Sequence, residues 1–523
     1  MSSYFNPVNR MTGLASGLDT KSIVEDLMKA ARMPLDRMLQ NQQLLKWQQE
    51  DYRAINTTLT DLRTNYGLPM ELQATFTVKK ATSSDETVVT AAVGANAPTG
   101  TYQVEVTALA QVGSLFSNTS LGAGFDPEAR MSDAVKSFGL TAATSFTIRT
   151  YKADGSTDQD ITINVSPDQT FNQLLADIEA KTSGRLTAFY EASTRRVVIS
   201  TTKTGNYNEN KFTLIDGSDS FLNNQLKITP GDLTGQDAEL TINGLSGIKQ
   251  HENTFTLNNT TFTLKKTTTS PVLVTVQTDT DAIVQKIKDF IQQYNDALDQ
   301  INGKLKEERY RDYLPLTEDQ KKDMSEEEIK NWEQKARSGL LQNDPLLQNM
   351  VYDLRTAITG VVDGLNASMN ALADIGITEG YMLDDQGKII LGAYTDGGKL
   401  YLNENILREA VNRDPEGVMN LFTRTGATDK EKGIGVRFYE ALNRAIDRLT
   451  REAGAPSSFS LVDNSFLSTS IREMQDRIDR ENERLANLES RYWEQFTVME
   501  QYIAQMNSQS TWLAQQFNMY GGR

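Results

Sequence analysis

Cysteine is absent from the 523-residue sequence, and histidine occurs once, as His251. Without thiols the chain has no disulfide, no thiolate nucleophile and no thiolate metal site. A lone imidazole leaves no Ser-His arrangement except one around His251, whose setting, Lys249-Gln250-His251-Glu252, reads as a solvated loop. Basic residues are outnumbered 53 to 69, and the net charge of −16 argues against nucleic acid as a partner. No apolar run approaches the ~20 residues that cross a bilayer, so no membrane span is expected. Residues Met1 to Asn9 lack the basic and apolar regions of a secretory signal, which predicts a soluble chain not exported by the general secretory route. Also missing are a phosphate loop, a dinucleotide Gly-x-Gly-x-x-Gly and a His-Glu-x-x-His zinc pattern. The acidic run Asp154 to Asp160 departs from a calcium loop and reads as a turn, as does Asp384-Asp385. The expectation is a chain with no catalytic site, no cofactor and no metal.

Glycine and proline are missing from another place, Leu467 to Tyr520, and there a pattern appears. With Ile471 at position a of a heptad, the a positions read Ile471, Ile478, Leu485, Tyr492, Met499, Met506, Leu513 and Tyr520. The d positions are mixed: Met474, Leu488 and Tyr502 are apolar, Glu481, Gln495, Gln509 and Gln516 polar. A sustained spacing near 3.5 residues predicts one long helix, about 75 Å at ~1.5 Å per residue, wound against another helix. Its first half carries i,i+4 charge pairs such as Glu473 with Arg477. From Gln501 to Gly522 no residue is charged, while Tyr502, Ile503, Trp512, Leu513, Phe517 and Tyr520 remain. Such a surface predicts other helices covering it in the working state.

The other end of the chain reads similarly. Ser22 and Glu25 have capping-box spacing, Pro34 predicts the end or a kink of the first helix, and a second helix follows from Leu35 to Tyr66. That helix carries Met38, Leu45, Tyr52, Leu59 and Tyr66 at intervals of seven. The first four join the eight C-terminal a positions as candidate coil and partner-binding residues. The simplest pairing sets the N-terminal helix against the C-terminal one, which makes everything between them an insertion.

Between the ends the period changes to two. Tyr102, Val104 and Val106 alternate with polar residues, and a Phe255–Leu264 hairpin turns at Asn258-Asn259. The helical period returns at Asp281 with Ile283, Ile287, Phe290, Ile291, Tyr294, Leu298 and Ile301, and Asp344-Pro345 opens a further helix. Glu307 to Lys335 is charge-rich and reads as a solvated face. The expected fold is α+β and multidomain: terminal coiled-coil helices, a helical-bundle domain and nested β-rich insertions. The predicted boundaries are 1–45 with 470–523 for the terminal coil and 46–77 with 282–469 for the helical domain. They are 78–110 with 237–281 for the inner β-rich domain, and 111–236 for the outer one.

Several motifs, in order, resemble those of the bacterial flagellar filament cap family, the flagellar hook-associated protein two family. They are Thr12 to Asp19 with Lys21 to Leu27, Asp237 to Gly244, Phe290 to Asn295, and Ser338 to Pro345. Asp374 to Thr378, Gly398 to Leu402, Asp414 to Phe422 and Gly433 to Arg437 complete the series. The resemblance covers most of the chain except roughly Ser114 to Gly235. It implies a structural protein at the filament tip, in a homo-oligomeric ring of five or six copies, under which exported flagellin folds and inserts. It also implies neighbours at the hook–filament junction, an extracellular location reached through the flagellar type III channel, and a cytosolic chaperone on the C-terminal helix before export. A second reading gives residues 111–236 a role as a surface adhesin for host glycans.

Overall fold

The computed structural model describes residues 16–390, 397–456 and 463–520, with the side chains of 390 and 518–520 outside that set. Residues Thr12 to Ala15 of the first motif therefore fall outside the described residues, as does most of the predicted joint from Gly454 to Ser460. The chain divides into two compact units: residues 1–76 with 280–523, and residues 77–279.

The first unit is helical. Its N-terminal helix, Thr20–Asp61, passes through Pro34 without a break, where the sequence predicted an end or kink. A mid-helix proline loses one backbone hydrogen bond, worth about 3 kcal/mol with its ring clash. Here it sits on an exposed face, while Met28 and Leu35 on either side are buried and hold the two halves in line. The N-cap is Asp19, whose carboxylate accepts from Ser22 N at 3.0 Å, rather than Ser22 itself. The helix then widens into a π-helical turn over Leu62–Gly67. Thr280–Lys306, Pro345–Thr359, Glu404–Arg413, Pro415–Thr423 and Ile434–Ala453 build the body, and Phe466–Tyr520 is the C-terminal helix. One core joins Ile55, Leu59 and Leu62 to Ile287, Phe290, Tyr294, Leu354, Ile358, Phe438 and Leu442. Phe438 stands edge-on to Phe290, with ring centroids 5.2 Å apart. Gly435 lets its helix approach so closely that a Cβ there would lie 2.2 Å from Met70 O. Asp-Pro starts a helix twice: Asp344 accepts from Leu347 N and Asp414 from Gly417 N, with proline at the first helical position each time.

The second unit is built of antiparallel strands in two nested sets. The chain enters through β1 (Lys79–Ser83), β2 (Val89–Val93) and β3 (Gly100–Ala108). It then makes β4 (Val112–Phe116), β5 (Thr144–Tyr151), β6 (Thr157–Val165), β7 (Leu186–Glu191), β8 (Arg196–Thr204), β9 (Phe212–Ile215) and β10 (Gly231–Leu233). It returns through β11 (Ala238–Ile242), β12 (Leu245–Gln250), β13 (Thr254–Leu257), β14 (Thr260–Leu264) and β15 (Val272–Thr278). The inner set pairs in the orders β1-β15-β3-β11-β12 and β13-β14-β2, the outer in β10-β9-β5-β6 and β4-β8-β7. Alternation puts Tyr102, Val104, Val106, Leu240, Phe262 and Val274 into one core. Phe146, Ile148, Ile163, Phe212 and the helix Phe171–Lys181 fill a second, separate core. Asn258 and Asn259, both at positive φ, make the two-residue turn between β13 and β14.

Candidate functional site: the paired terminal helices

The two terminal helices run antiparallel, and polar contacts set their register along the whole paired length. Gln49 Nε2 donates to Ser468 Oγ at 2.6 Å, Gln42 Nε2 donates to Gln475 Oε1 at 2.9 Å, and Ser16 N donates to Glu500 Oε2 at 3.2 Å. Between these points Val24, Met28 and Leu35 pack on Ile478, Leu485 and Trp493, flanked by Met38, Leu488, Tyr492 and Phe496. Gln42 is buried in this seam, and a buried polar layer of that kind fixes register at some cost in stability.

Only part of the predicted seven-residue series stays on the seam. Ile478 and Leu485 are buried, Ile471, Tyr492 and Met499 are half-buried, and Met506 and Leu513 are exposed. Tyr520 ends the helix, with its side chain outside the described residues. The buried stripe runs Ile478, Leu485, Trp493, Glu500, in steps of seven, eight and seven. A straight helix drifts ~20° per heptad against a 3.5-residue repeat, and the extra step carries the seam from Tyr492 to Trp493. On the N-terminal helix Met38 and Leu45 flank the packed interfaces, whereas Tyr52 and Leu59 lie in the core of the helical body and not in the coil. The reason is geometric: the C-terminal helix starts at Phe466 opposite Gln49, so residues further along meet the body instead.

Three consecutive residues make that transition. Asp51, almost fully buried, accepts from Arg337 Nη2 at 2.8 Å and faces Lys304 Nζ at 3.4 Å. Tyr52 donates its hydroxyl to Asp344 Oδ2 at 2.6 Å, and burial together with that carboxylate pushes the phenol pKa up. Arg53 donates to Ala453 O and to Asp463 Oδ2 at 2.6 Å. Burial opposes the charge on Arg337, yet Asp51 and Glu50 hold its pKa above the ordinary value. Burial would likewise raise the Asp463 carboxyl, but hydrogen bonds from Ser468 and Ser465 and the Arg53 charge bring it below the usual range. The charge-rich segment Glu307 to Lys335 is mostly exposed, as predicted, but Gln40 of the N-terminal helix donates to Pro315 O within it at 2.8 Å, and Arg337, just past it, ends the helix Glu326–Arg337. Neither contact had a local sequence signal, since the partners lie some 275 or more positions apart.

Past Glu500 the described N-terminal helix, which starts at Thr20, no longer runs alongside the C-terminal one. Its apolar side chains stand in solvent: Tyr502 is 65% exposed, Met506 68%, Trp512 57% and Phe517 76%. Among the described residues no three acidic or histidine side chains gather to hold a metal, and no helix is long and apolar enough to cross a membrane.

Terminal helices paired in one coil, a helical body tied to its root and β-rich cores inserted in the sequence between them define a multidomain α+β protein built around a terminal coil. Residues 16–112 match the family described as flagellar hook-associated protein 2 N-terminus, and residues 235–508 its C-terminus. The chain belongs to the flagellar hook-associated protein 2 family. It is 29% identical to that protein of Halalkalibacterium halodurans, over 97% of this chain and 99% of the relative. It is 26% identical to the Escherichia coli K12 protein, over 97% of both. The fold is similar to the crystal structure of the flagellar cap protein FliD D1-D2-D3 domains from Escherichia coli, with a TM-score of 0.50 and 22% identity. That match covers 81% of this chain and 99% of the other. Residues 113–234 lie outside both family matches, the stretch in which the sequence carried no resemblance.

Proposed function

We propose that this protein caps the distal end of a bacterial flagellar filament, where it holds exported flagellin until the subunits fold and insert. The observation that carries the reading, beside family membership, is the uncharged end of the C-terminal helix, whose Tyr502, Met506, Trp512, Leu513 and Phe517 side chains are exposed. Large apolar side chains gathered on an uncharged, exposed helix end mark a surface that other helices cover in the working state. Copies of this chain and the helical ends of filament subunits supply such surfaces. The twelve positions read from the heptads divide accordingly. Ile471, Ile478, Leu485, Tyr492 and Met38 build the intramolecular coil, with Leu45, Tyr52 and Leu59 anchoring it to the body. Met499, Met506 and Leu513 face partners, and the seven-residue series assigns Tyr520 the same role.

The working form is a homo-oligomeric ring of five or six copies on the outside of the cell, at the filament tip above the hook–filament junction proteins. Export runs unfolded through the flagellar type III channel, which a cysteine-free chain suits because it cannot cross-link in transit. A cytosolic chaperone covers residues 501–520 beforehand. The four layers are 1–45 with 470–523, 46–77 with 282–469, 78–110 with 237–281, and 111–236, the coil serving as legs and the β cores as plate.

The test is Met506→Glu with Leu513→Glu in the full chain. Both side chains are exposed in the isolated chain, so helicity and thermal midpoint should match the wild type. Sedimentation should show loss of the oligomer, and the variant should not restore filaments in a strain lacking the gene. Normal oligomers and normal filaments would remove the C-terminal helix end from the account.

A further inference from the structure

The outer and inner β cores are joined by only two crossing chains, next to each other. Gln111 and Gln236 exchange backbone hydrogen bonds at 2.8 and 3.0 Å, one strand leaving the inner core and the other returning. Two adjacent crossings alone act as a hinge, because rotation about the line through them stretches neither. A third chain closes on this joint. The end of β8 and the residues after it, Thr204 to Tyr207, belong to the outer core and meet the turn between β12 and β13 of the inner one.

Each residue of that segment makes a tie. Thr204 Oγ1 donates to His251 O at 2.7 Å, and Asn206 N donates to Asp237 Oδ1 at 2.6 Å. The same oxygen lies 2.8 Å from His251 Nδ1. The Tyr207 ring rests on the imidazole, with centroids 4.6 Å apart. Gly205 N donates to Gln111 O, and Gly205 has φ of +96°. A Cβ there would fall 2.6 Å from His251 O and 2.7 Å from His251 Cα, so only glycine lets the two chains touch. Buried Asn210 braces the segment by donating to the carbonyls of Lys203, Thr204 and Gly205. On the inner side Asn253 holds both backbone groups of Ala110, at 2.8 and 2.9 Å, just before the outgoing crossing. The only histidine of the chain thus sits in the joint, with Asp237 beside it largely shielded from water.

We propose that His251 and Asp237, closing on Thr204 to Tyr207, form a latch that holds the outer β core at a fixed angle on the inner one. Gly205 is the residue that lets the latch shut. The two cores then move as one body, and whatever the outer core presents is held in a defined direction. This goes beyond capping, which requires no particular stiffness at this joint.

The absence of cysteine makes the test clean. Val135→Cys in the outer core and Leu245→Cys in the inner core, both exposed, take spin labels on the full chain, and pulsed dipolar spectroscopy reads their separation. The parent should give one narrow distance distribution. Asp237→Ala with His251→Ala removes the side-chain ties to Asn206 and Tyr207 and should widen it at least twofold. Gly205→Ala, which forces the chains apart, should do the same. Near-UV circular dichroism verifies that both cores remain packed, and if Gly205→Ala fails to fold, the double variant alone decides. A broad distribution in the parent, or one equally narrow in the folded double variant, would overturn the latch.

Discussion

Asp51 is a carboxylate with little access to water and two cations beside it, and its worth lies in where it stands. It ties the coil root to two separate parts of the body through Arg337 and Lys304. Removing one partner of a buried pair leaves the other charge unsatisfied, at about 3–5 kcal/mol when fully buried. Both cations here keep some contact with water, so Asp51→Ala should cost about 1–3 kcal/mol, read as a lower urea midpoint. Adding Arg337→Met should recover part of that loss; a strictly additive pair would show that the contact carries no coupling. Asp463 gives a pH signature. Its folded pKa lies below the ordinary value, so its contribution is present above the unfolded pKa and disappears as the pH falls through the folded one. Asp463→Asn should therefore melt below the wild type at pH 7, and the two should converge in strong acid. Asp36 has the opposite sign: burial, then the nearby Asp319 charge, raise its pKa, so its charged form opposes folding. Asp36→Asn should raise the melting temperature at neutral pH and not at pH 3.

The elements show how far a repeat in sequence carries. Trp493 is packed in the seam and Met506 is in water, although the heptad frame favours the second. Trp493→Ala should destabilise the chain by about 3 kcal/mol and Met506→Ala by less than about 0.5, measured as urea midpoints. Equal effects would mean that the helix coils as a strict heptad. The existence of the long helix, its pairing with the N-terminal one and the alternating strands could be read because each depends on local periodicity. The drift could not, because it depends on how straight the finished helix is. Pro34 misled for a related reason: its local penalty is real, but packing on both sides outweighs it. Tyr52 and Leu59 followed the seven-residue spacing faithfully, and only the starting point of the partner helix decided that they belong to the body. The ties at Asp51, Arg53 and His251 join residues distant in sequence or separated by a turn, and nothing in composition marks them.

At the scale of the whole chain, nesting predicts that the most deeply inserted segment, the outer β core, can be removed without losing the parts that flank it in sequence. Gln111 and Gln236 already pair as neighbours across a hairpin would, so residues 112–235 should be replaceable by Asn-Gly, a two-residue turn of the right hand. The shortened chain should still unfold cooperatively with the inner β core intact, followed by circular dichroism and amide exchange; collapse of that core would show that the layers fold only together. The central claim, that the chain closes a growing filament and keeps flagellin from escaping, is tested most directly in cells. We would delete the gene and measure monomeric flagellin in the medium, then restore either the full chain or the chain without residues 470–523. Flagellin should be shed by the deletion strain, filaments should return with the full chain, and the truncated chain should leave the loss uncorrected. Normal filaments and no shed flagellin in the deletion strain would contradict the account.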